Sequence, residues 1–164
     1  MTKDVALIVG GGPGISASCA RLFAKSGMHV GIAARNPDKP VLQNLEKMHG
    51  VRRYACDASE PAAVELLFQN VVRDLGAPTL VVHNIDGRVA GIFRKGIIEA
   101  DPGMALETLR GSAFSAFLVG QQAARLMLEN EPSANGAKGT IIFTNASAAL
   151  KGFPMSGAFA MACQ

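Results

Sequence analysis

Short runs of aliphatic residues alternate, along this chain of 164 residues, with longer stretches that have helical spacing. The first run, VALIV at 5–9, contains no polar residue, which is typical of a strand covered on both faces. Alternation of this kind produces a parallel sheet with right-handed crossovers and helices on both faces. We therefore predict an α/β fold built on a doubly wound parallel sheet. The predicted strands span 5–9, 29–34, 51–56, 78–84 and 139–145, and the predicted helices span 14–27, 39–48, 60–76 and 101–127, with a last helix beginning near Pro154.

Composition narrows the class of protein. Apolar residues make up 49% and charged residues 18%, a balance that supports a core and argues against disorder. The net charge of +3 comes from scattered Lys and Arg, without a run that would indicate nucleic-acid binding. Three cysteines without CxxC spacing are typical of a reducing compartment, and no apolar run is long enough for a membrane span. These features predict one domain over residues 1–164, in the cytoplasm, with no metal site and no membrane or nucleic-acid partner.

A glycine-rich segment, VGGGPGIS at 9–16, joins the first predicted strand to the first helix. Glycine permits positive φ and close approach of a ligand, and the N–H groups at a helix start bind phosphate. A plain tight turn is the alternative. The position favours the ligand, because the turn after the first strand of a Rossmann fold binds dinucleotides. The predicted cofactor contacts are Gly10, Gly12, Pro13, Gly14 and Ile15.

The end of the second predicted strand indicates which dinucleotide is bound. An acidic residue there binds the ribose 2′-hydroxyl of NAD, whereas a nearby Arg accommodates the 2′-phosphate of NADP. Here Ala34 stands where the acid would be, and Arg35 follows it. This predicts NADP(H) in preference to NAD(H), with a solvated surface Arg35 as the alternative.

Several segments, in order, resemble the short-chain dehydrogenase/reductase family. VGGGPGIS resembles the TGxxxGIG motif of that family, with Ser16 in place of the last Gly. YACDAS resembles the segment whose Asp contacts adenine, which corresponds to Asp57, although a turn acid ahead of a helix explains Asp57 equally well. VVHNIDG resembles a degenerate NNAG, with His83 and Asn84 at the Asn positions and Asp86 replacing Gly. We expect Asn84 to join strands beside the cofactor and His83 to be a neutral, hydrogen-bonded strand residue rather than a base.

The catalytic positions of the family are altered. The resemblance implies a Tyr that transfers the proton, a Lys four residues later that lowers the pKa of the Tyr and holds the ribose, a Ser that polarises the carbonyl, and an Asn in the long helix. Ser147 corresponds to the Ser within one position, and Ser112 lies at the Asn site. Phe159 and Cys163 stand at the Tyr and Lys positions, and a phenyl ring has no proton to give. The one tyrosine, Tyr54, lies in a predicted strand.

No residue from Pro154 to Gln164 is charged. In the resembling family this segment begins a helix at a subunit interface and further strands follow it, so we expect the sheet to be incomplete at its C-terminal edge. An exposed strand edge and apolar flank would then need cover. We therefore expect either a fragment of a longer protein or a homo-oligomer.

Three functions remain open. The first is an oxidoreductase of the short-chain type that uses NADP(H) to interconvert a small carbonyl compound and an alcohol. The second is a non-catalytic NADP(H)-binding sensor or regulatory subunit, and the third is a structural partner subunit without cofactor. The residues leave open whether this chain is itself an enzyme, and they do not identify the substrate.

Overall fold

The computed structural model describes residues 4–92, 95–151 and 155–163. Five strands form one sheet in the order β3-β2-β1-β4-β5, and every neighbouring pair is parallel. The strands are β1 (Val5–Val9), β2 (His29–Ala34), β3 (Val51–Ala55), β4 (Leu80–His83) and β5 (Thr140–Phe143). The predicted α/β class and the doubly wound parallel sheet are confirmed.

The strands are connected by helices, as the alternating pattern predicts. The helices are α1 (Ile15–Lys25), α2 (Pro40–Glu46), α3 (Pro61–Asp74), α4 (Pro102–Leu109), α5 (Ser115–Leu128) and α6 (Gly157–Cys163). Short 3₁₀ turns occur at Ala90–Ile92 and Ser147–Ala149. Within the described ranges, no helix combines the length and the hydropathy that crossing a bilayer requires.

The two faces of the sheet carry separate apolar cores, because successive side chains of a strand point to opposite faces. Leu7 and Val9 of β1 pack against α3 and α5 on one face, whereas Ala6 and Ile8 pack against α1 and α2 on the other. All five residues of β1 are buried, as expected for a central strand with two covered faces. This central position holds the carboxyl end of β1, where the glycine turn begins, between two layers of helices.

The long predicted helix at 101–127 differs in one respect. The structure divides it into α4, a π-helical turn at Arg110–Phe114 and α5. The interruption contains Gly111. Gly120 lies inside α5, where a Cβ would come within 2.9 Å of the Phe143 ring, so its role is close packing. The predicted start of the last helix at Pro154 lies outside the described residues.

Candidate functional site

The glycine turn is fixed between β1 and β2. The N–H groups of Gly10 and Gly11 both donate to the carbonyl oxygen of Ala33, at 2.9 and 2.7 Å. Gly10 has φ of +107°, and a Cβ there would lie 2.1 Å from the carbonyl oxygen of Asn84. Only glycine meets both conditions at this position.

The start of α1 is open to a ligand. Its N-cap is Gly14, which provides no side-chain cap for the first N–H groups. A Cβ on Gly12 or Gly14 would have no heavy atom within 4 Å, and Pro13 and Ile15 are exposed. Uncapped N–H groups beside open space at the positive end of a helix dipole form a site for a phosphate group.

Ser16 and Asn84 connect the glycine turn to two strands. The buried Ser16 hydroxyl donates to the carbonyl oxygen of Gly10 at 2.7 Å and accepts from Asn84 Nδ2 at 2.7 Å. Asn84 Oδ1 in turn accepts from the Thr144 hydroxyl at 2.8 Å. Ser16, which replaces a glycine of the family motif, therefore stabilises the turn. Asn84 joins β4 to its neighbours, as the sequence predicts.

A cleft of about 260 Å³ lies at the carboxyl ends of β1, β2 and β3. Arg35 and Lys39 line it from the segment after β2, and Lys39 Nζ donates to the carbonyl oxygen of Gly11 at 3.2 Å. Arg110 lines the opposite side, where it pairs with Glu60. Three carboxylates, those of Asp57, Asp86 and Glu107, also line the cleft, so the charges are mixed and the cation bonded to the glycine turn is Lys39.

Asp57 fits both interpretations given by the sequence. Its carboxylate accepts hydrogen bonds from the Ser59 backbone N–H at 3.0 Å and hydroxyl at 2.7 Å, which makes it a turn acid ahead of α3. These bonds, foremost the one from the hydroxyl, lower the pKa of Asp57. Asp57 also lines the cleft. Cys56 beside it has a pKa raised by burial to about 11, so its thiol is protonated at neutral pH.

A second cavity, of about 860 Å³, lies beyond the glycine turn and is mostly apolar. It meets the cleft at three shared residues that follow β4: Asn84, Ile85 and Asp86. Ser112 and Phe159, two of the residues predicted at catalytic positions, line this cavity together. The cleft and this cavity are therefore adjacent, and the start of α1 lies between them.

The structure does not bring Ser147 to this cavity. Ser147 is exposed on the 3₁₀ turn after β5, and the lining residue at this point is Ala146. The prediction for Ser147 was made to within one position, and the turn places its neighbour at the cavity. Because alanine has no hydroxyl, the side chain at this point cannot polarise a carbonyl group.

The cation beside Phe159 comes from a different element than the family pattern implies. The Arg88 guanidinium lies 4.6 Å from the centre of the Phe159 ring and pairs with Asp86. Cys163 lines the same cavity, and burial raises the pKa of its thiol. Phe159 and Cys163 thus meet an Asp86–Arg88 ion pair from the segment after β4, in place of a Tyr and a Lys.

Ser112 lies in the π-helical turn, against the backbone of Gly87. A Cβ on Gly87 would come within 2.3 Å of Ser112 Oγ, so only glycine permits this approach. Among the described residues, Ser112 Oγ is buried and has no hydrogen-bond partner. Single π-helical turns occur frequently at functional sites.

His83 is a buried, neutral residue, as the sequence predicts. Its Nε2 lies 2.9 Å from the Ser115 hydroxyl, which donates to the carbonyl oxygen of Gly111 at 2.7 Å. Ser115 therefore accepts from Nε2–H, which sets the tautomer of His83. Burial lowers the pKa of His83 to about 4.

The Tyr54 hydroxyl donates a hydrogen bond to Asp74, and burial raises the pKa of Tyr54 to about 12.

Sequence reasoning missed Lys39, Arg88 and Gly87. All three lie in segments that follow the carboxyl end of a strand, where ligands bind in open α/β sheets. That rule, applied to every residue of the segments after β2 and β4, would have found them. No group of three His, Cys, Asp or Glu side chains that could hold a metal ion occurs in the described part of the chain.

The sequence is similar to a known family model and to a curated protein. The family model described as enoyl-(acyl carrier protein) reductase matches residues 10–163. Short chain aldehyde dehydrogenase 1 of Euphorbia lathyris is 26% identical over 152 residues, which are 92% of this chain and 50% of that protein. The chain thus spans half the length of this curated relative.

Two solved structures share the fold. A short-chain dehydrogenase/reductase of Serratia marcescens has a TM-score of 0.80 at 23% identity, over 99% of this chain and 64% of its own. The F189W variant of actinorhodin polyketide ketoreductase, solved with NADPH, has a TM-score of 0.84 at 23% identity, over 98% of this chain and 59% of its own. Because the family model covers most of the sequence and these neighbours share its sheet, the chain belongs to the short-chain dehydrogenase/reductase family.

Proposed function

We propose that this chain binds NADP(H) and serves an oxidoreductase reaction of the short-chain type, between a small carbonyl compound and an alcohol. One observation carries the proposal. The uncapped start of α1 lies between a cleft lined by Arg35 and Lys39 and a larger, mostly apolar cavity. This arrangement fits a molecule with a phosphorylated nucleoside at one end and a less charged ring at the other.

The residues present fit such a cofactor. The N–H groups at the start of α1 would hold the pyrophosphate, in the space that Gly12 and Gly14 leave open. Arg35 would bind the 2′-phosphate, and Asp57, which also lines the cleft, would contact the adenine. Asn84 lies where the two cavities meet. When bound, the cofactor supplies the hydride chemistry.

The larger cavity would hold the substrate. Ser112 lies in the wall of this cavity with its hydroxyl buried against Gly87, so we propose that it shapes the wall at the position of the family's Asn and does not bind the substrate oxygen. Phe159 cannot transfer a proton, and the partly buried Cys163 thiol is a poor replacement for an ammonium group. We propose that water or a group outside this chain supplies the proton.

A second candidate is an NADP(H)-binding sensor or regulatory subunit without turnover. The identity of Phe159 and Cys163 favours it, because both family positions for proton transfer have lost that chemistry while the glycine turn and Arg35 are kept. A turnover assay separates the two candidates. Oxidation of NADPH in the presence of a panel of aldehydes and ketones supports the enzyme, and tight binding without turnover supports the sensor.

The cofactor preference is tested at Arg35. Arg35→Gln removes a charge-assisted contact to the phosphate, so NADPH affinity should fall by about 10- to 100-fold while NADH affinity is unchanged. The control is Arg125→Gln, which removes the same charge from an exposed position on α5. Equal losses for both cofactors, or no loss, would contradict the assignment.

We further propose a homo-oligomer in the cytoplasm. Ile142 on β5 and Leu128 on α5 are large apolar residues outside the two cavities and are 43% and 66% exposed, which favours a covering partner. Static light scattering at micromolar concentration tests the oligomer, and a monomer would contradict it.

A further inference from the structure

The segment between β2 and α2, residues 35–39, carries both cations that line the small cleft from this side. Arg35, Asp38 and Lys39 are exposed. Long charged side chains lose conformational entropy when they bind a ligand, and so does the backbone of an exposed segment. This loss of entropy weakens binding. A segment that selects between two cofactors by one phosphate group therefore needs to be fixed in place before the ligand arrives.

One side chain outside the segment fixes it. The Arg53 guanidinium donates through Nη1 to the carbonyl oxygen of Pro37 at 3.1 Å and to the Asp38 carboxylate. Its Nε donates to Glu46 Oε2 at 2.6 Å. Glu46 is the last residue of α2. Arg53 therefore connects the segment before α2 to the opposite end of that helix, through the rigid planar fork that only arginine provides.

The backbone of Arg53 is held in the sheet. Arg53 lies in β3 and is paired with Ile32 of β2, the strand that leads into residues 35–39. Its side chain is only 26% exposed. At the other end of the segment, Lys39 Nζ donates to the carbonyl oxygen of Gly11. Asn36 Oδ1 also accepts from the Asp38 backbone N–H at 2.9 Å. These bonds hold the segment from Asn36 to Lys39, and strand β2 holds the residue that precedes it.

We propose that Arg53 is a positioning residue for cofactor selection: it holds residues 35–39 so that Arg35 and Lys39 bind the 2′-phosphate of NADP(H) at low entropic cost. The inference rests on the proposed function. Arg53 does not line the cleft, so it acts through the segment that it holds.

A simpler role would be long-range attraction of the phosphate by the positive charge of Arg53. The two roles give opposite signs at Asp38. Asp38→Ala removes a negative charge near the phosphate, so attraction alone predicts tighter NADPH binding. The same substitution removes an acceptor that holds the segment, so positioning predicts weaker NADPH binding relative to NADH.

The experiment measures the dissociation constants of NADPH and NADH for the wild-type chain and for Arg53→Lys, Asp38→Ala and Arg52→Lys. Arg53→Lys keeps the charge and loses the fork. Arg52→Lys is the matched control, because Arg52 is the neighbour of Arg53 in β3 and pairs with Asp74 at 3.5 Å. Among the described residues, no hydrogen bond or ion pair joins Arg52 to residues 35–39. Asp38 is exposed, so its variant keeps the fold even if a change at Arg53 does not.

We expect Arg53→Lys and Asp38→Ala each to lower the preference for NADPH over NADH by about three- to tenfold, the cost of ordering one or two side chains. Arg52→Lys should leave the preference unchanged. An unchanged preference in Arg53→Lys, or a raised one in Asp38→Ala, overturns the inference and leaves the proposed function standing. A wild-type chain that binds neither cofactor overturns both.

Discussion

The two cavities of this protein differ in how their walls are built. Around the small cleft, the glycine turn, Ser16 and Asn84 form a continuous network of hydrogen bonds, and each residue meets a geometric demand of its position. Around the large cavity, Phe159 and Cys163 stand at the Tyr and Lys positions of the family, beside the Asp86–Arg88 ion pair. The groups that would bind a cofactor are therefore present around the small cleft, whereas the groups that the family uses for proton transfer are replaced.

This difference shows that binding and proton transfer depend on different kinds of residue. Binding at the start of α1 uses backbone N–H groups, which no substitution of a side chain removes directly. Proton transfer depends on single ionisable side chains, which one substitution abolishes. A chain can therefore lose the second without disturbing the first, and the comparison is open to direct tests.

The largest effect is expected at the glycine turn. Gly10→Ala combines a positive φ with a contact of 2.1 Å, so it should lower the free energy of unfolding by about 2–6 kcal/mol and abolish cofactor binding. Gly12→Ala should leave the stability nearly unchanged, because its Cβ would meet no atom, and should still weaken cofactor binding. Urea unfolding and equilibrium binding measure the two quantities. Equal stability of the two variants would contradict the role of Gly10.

The next effect concerns pH and His83. The folded-state pKa of about 4 lies below the unfolded value, so the unfolded chain binds the proton more tightly. His83 therefore contributes stability above pH of about 6.5 that is lost as the pH falls toward 4, roughly 3 kcal/mol in all. His83→Asn should flatten the pH dependence of the unfolding free energy between pH 7 and 4. A profile parallel to that of the wild-type chain would show that His83 is not buried neutral.

The smallest effect tests whether the two regions are independent. Phe159→Leu removes the cation–π contact with Arg88 and should lower the unfolding free energy by about 0.5–1 kcal/mol without changing NADPH affinity. Phe159→Tyr keeps an aromatic ring over the guanidinium and serves as the matched control. A loss of NADPH affinity in Phe159→Leu would mean that α6 contributes to the cofactor site, which would contradict the independence of the two cavities.

Much of the fold is readable in the sequence because local patterns determine it. The strands at 5–9 and 29–34 match the predicted residues, since continuous apolar runs end at glycine or polar residues. The bonds among Ser16, Asn84 and Thr144 were not predictable in detail, because they join residues at least 60 positions apart. Whether Ala146 or Ser147 faces the cavity depends on where a single 3₁₀ turn begins, and a sequence pattern does not determine that residue.

The site shows the same division. The glycine turn and Arg35 follow a rule about where strands end, and the structure has both beside the cleft. The Arg88–Phe159 contact depends on how the segment after β4 packs on α6, and nothing local to either segment indicates it. The π-helical turn at Arg110–Phe114 lies against Gly87, a contact between distant residues that the local sequence does not indicate.

The most direct test is a calorimetric titration of the wild-type chain with NADPH and then with NADH, under identical conditions. The account predicts binding of both, with NADPH tighter by about tenfold or more, which is the expected value of a charge-assisted phosphate contact. Absence of heat with both cofactors, or equal affinity for the two, would contradict a working NADP(H) site at the glycine turn and the small cleft.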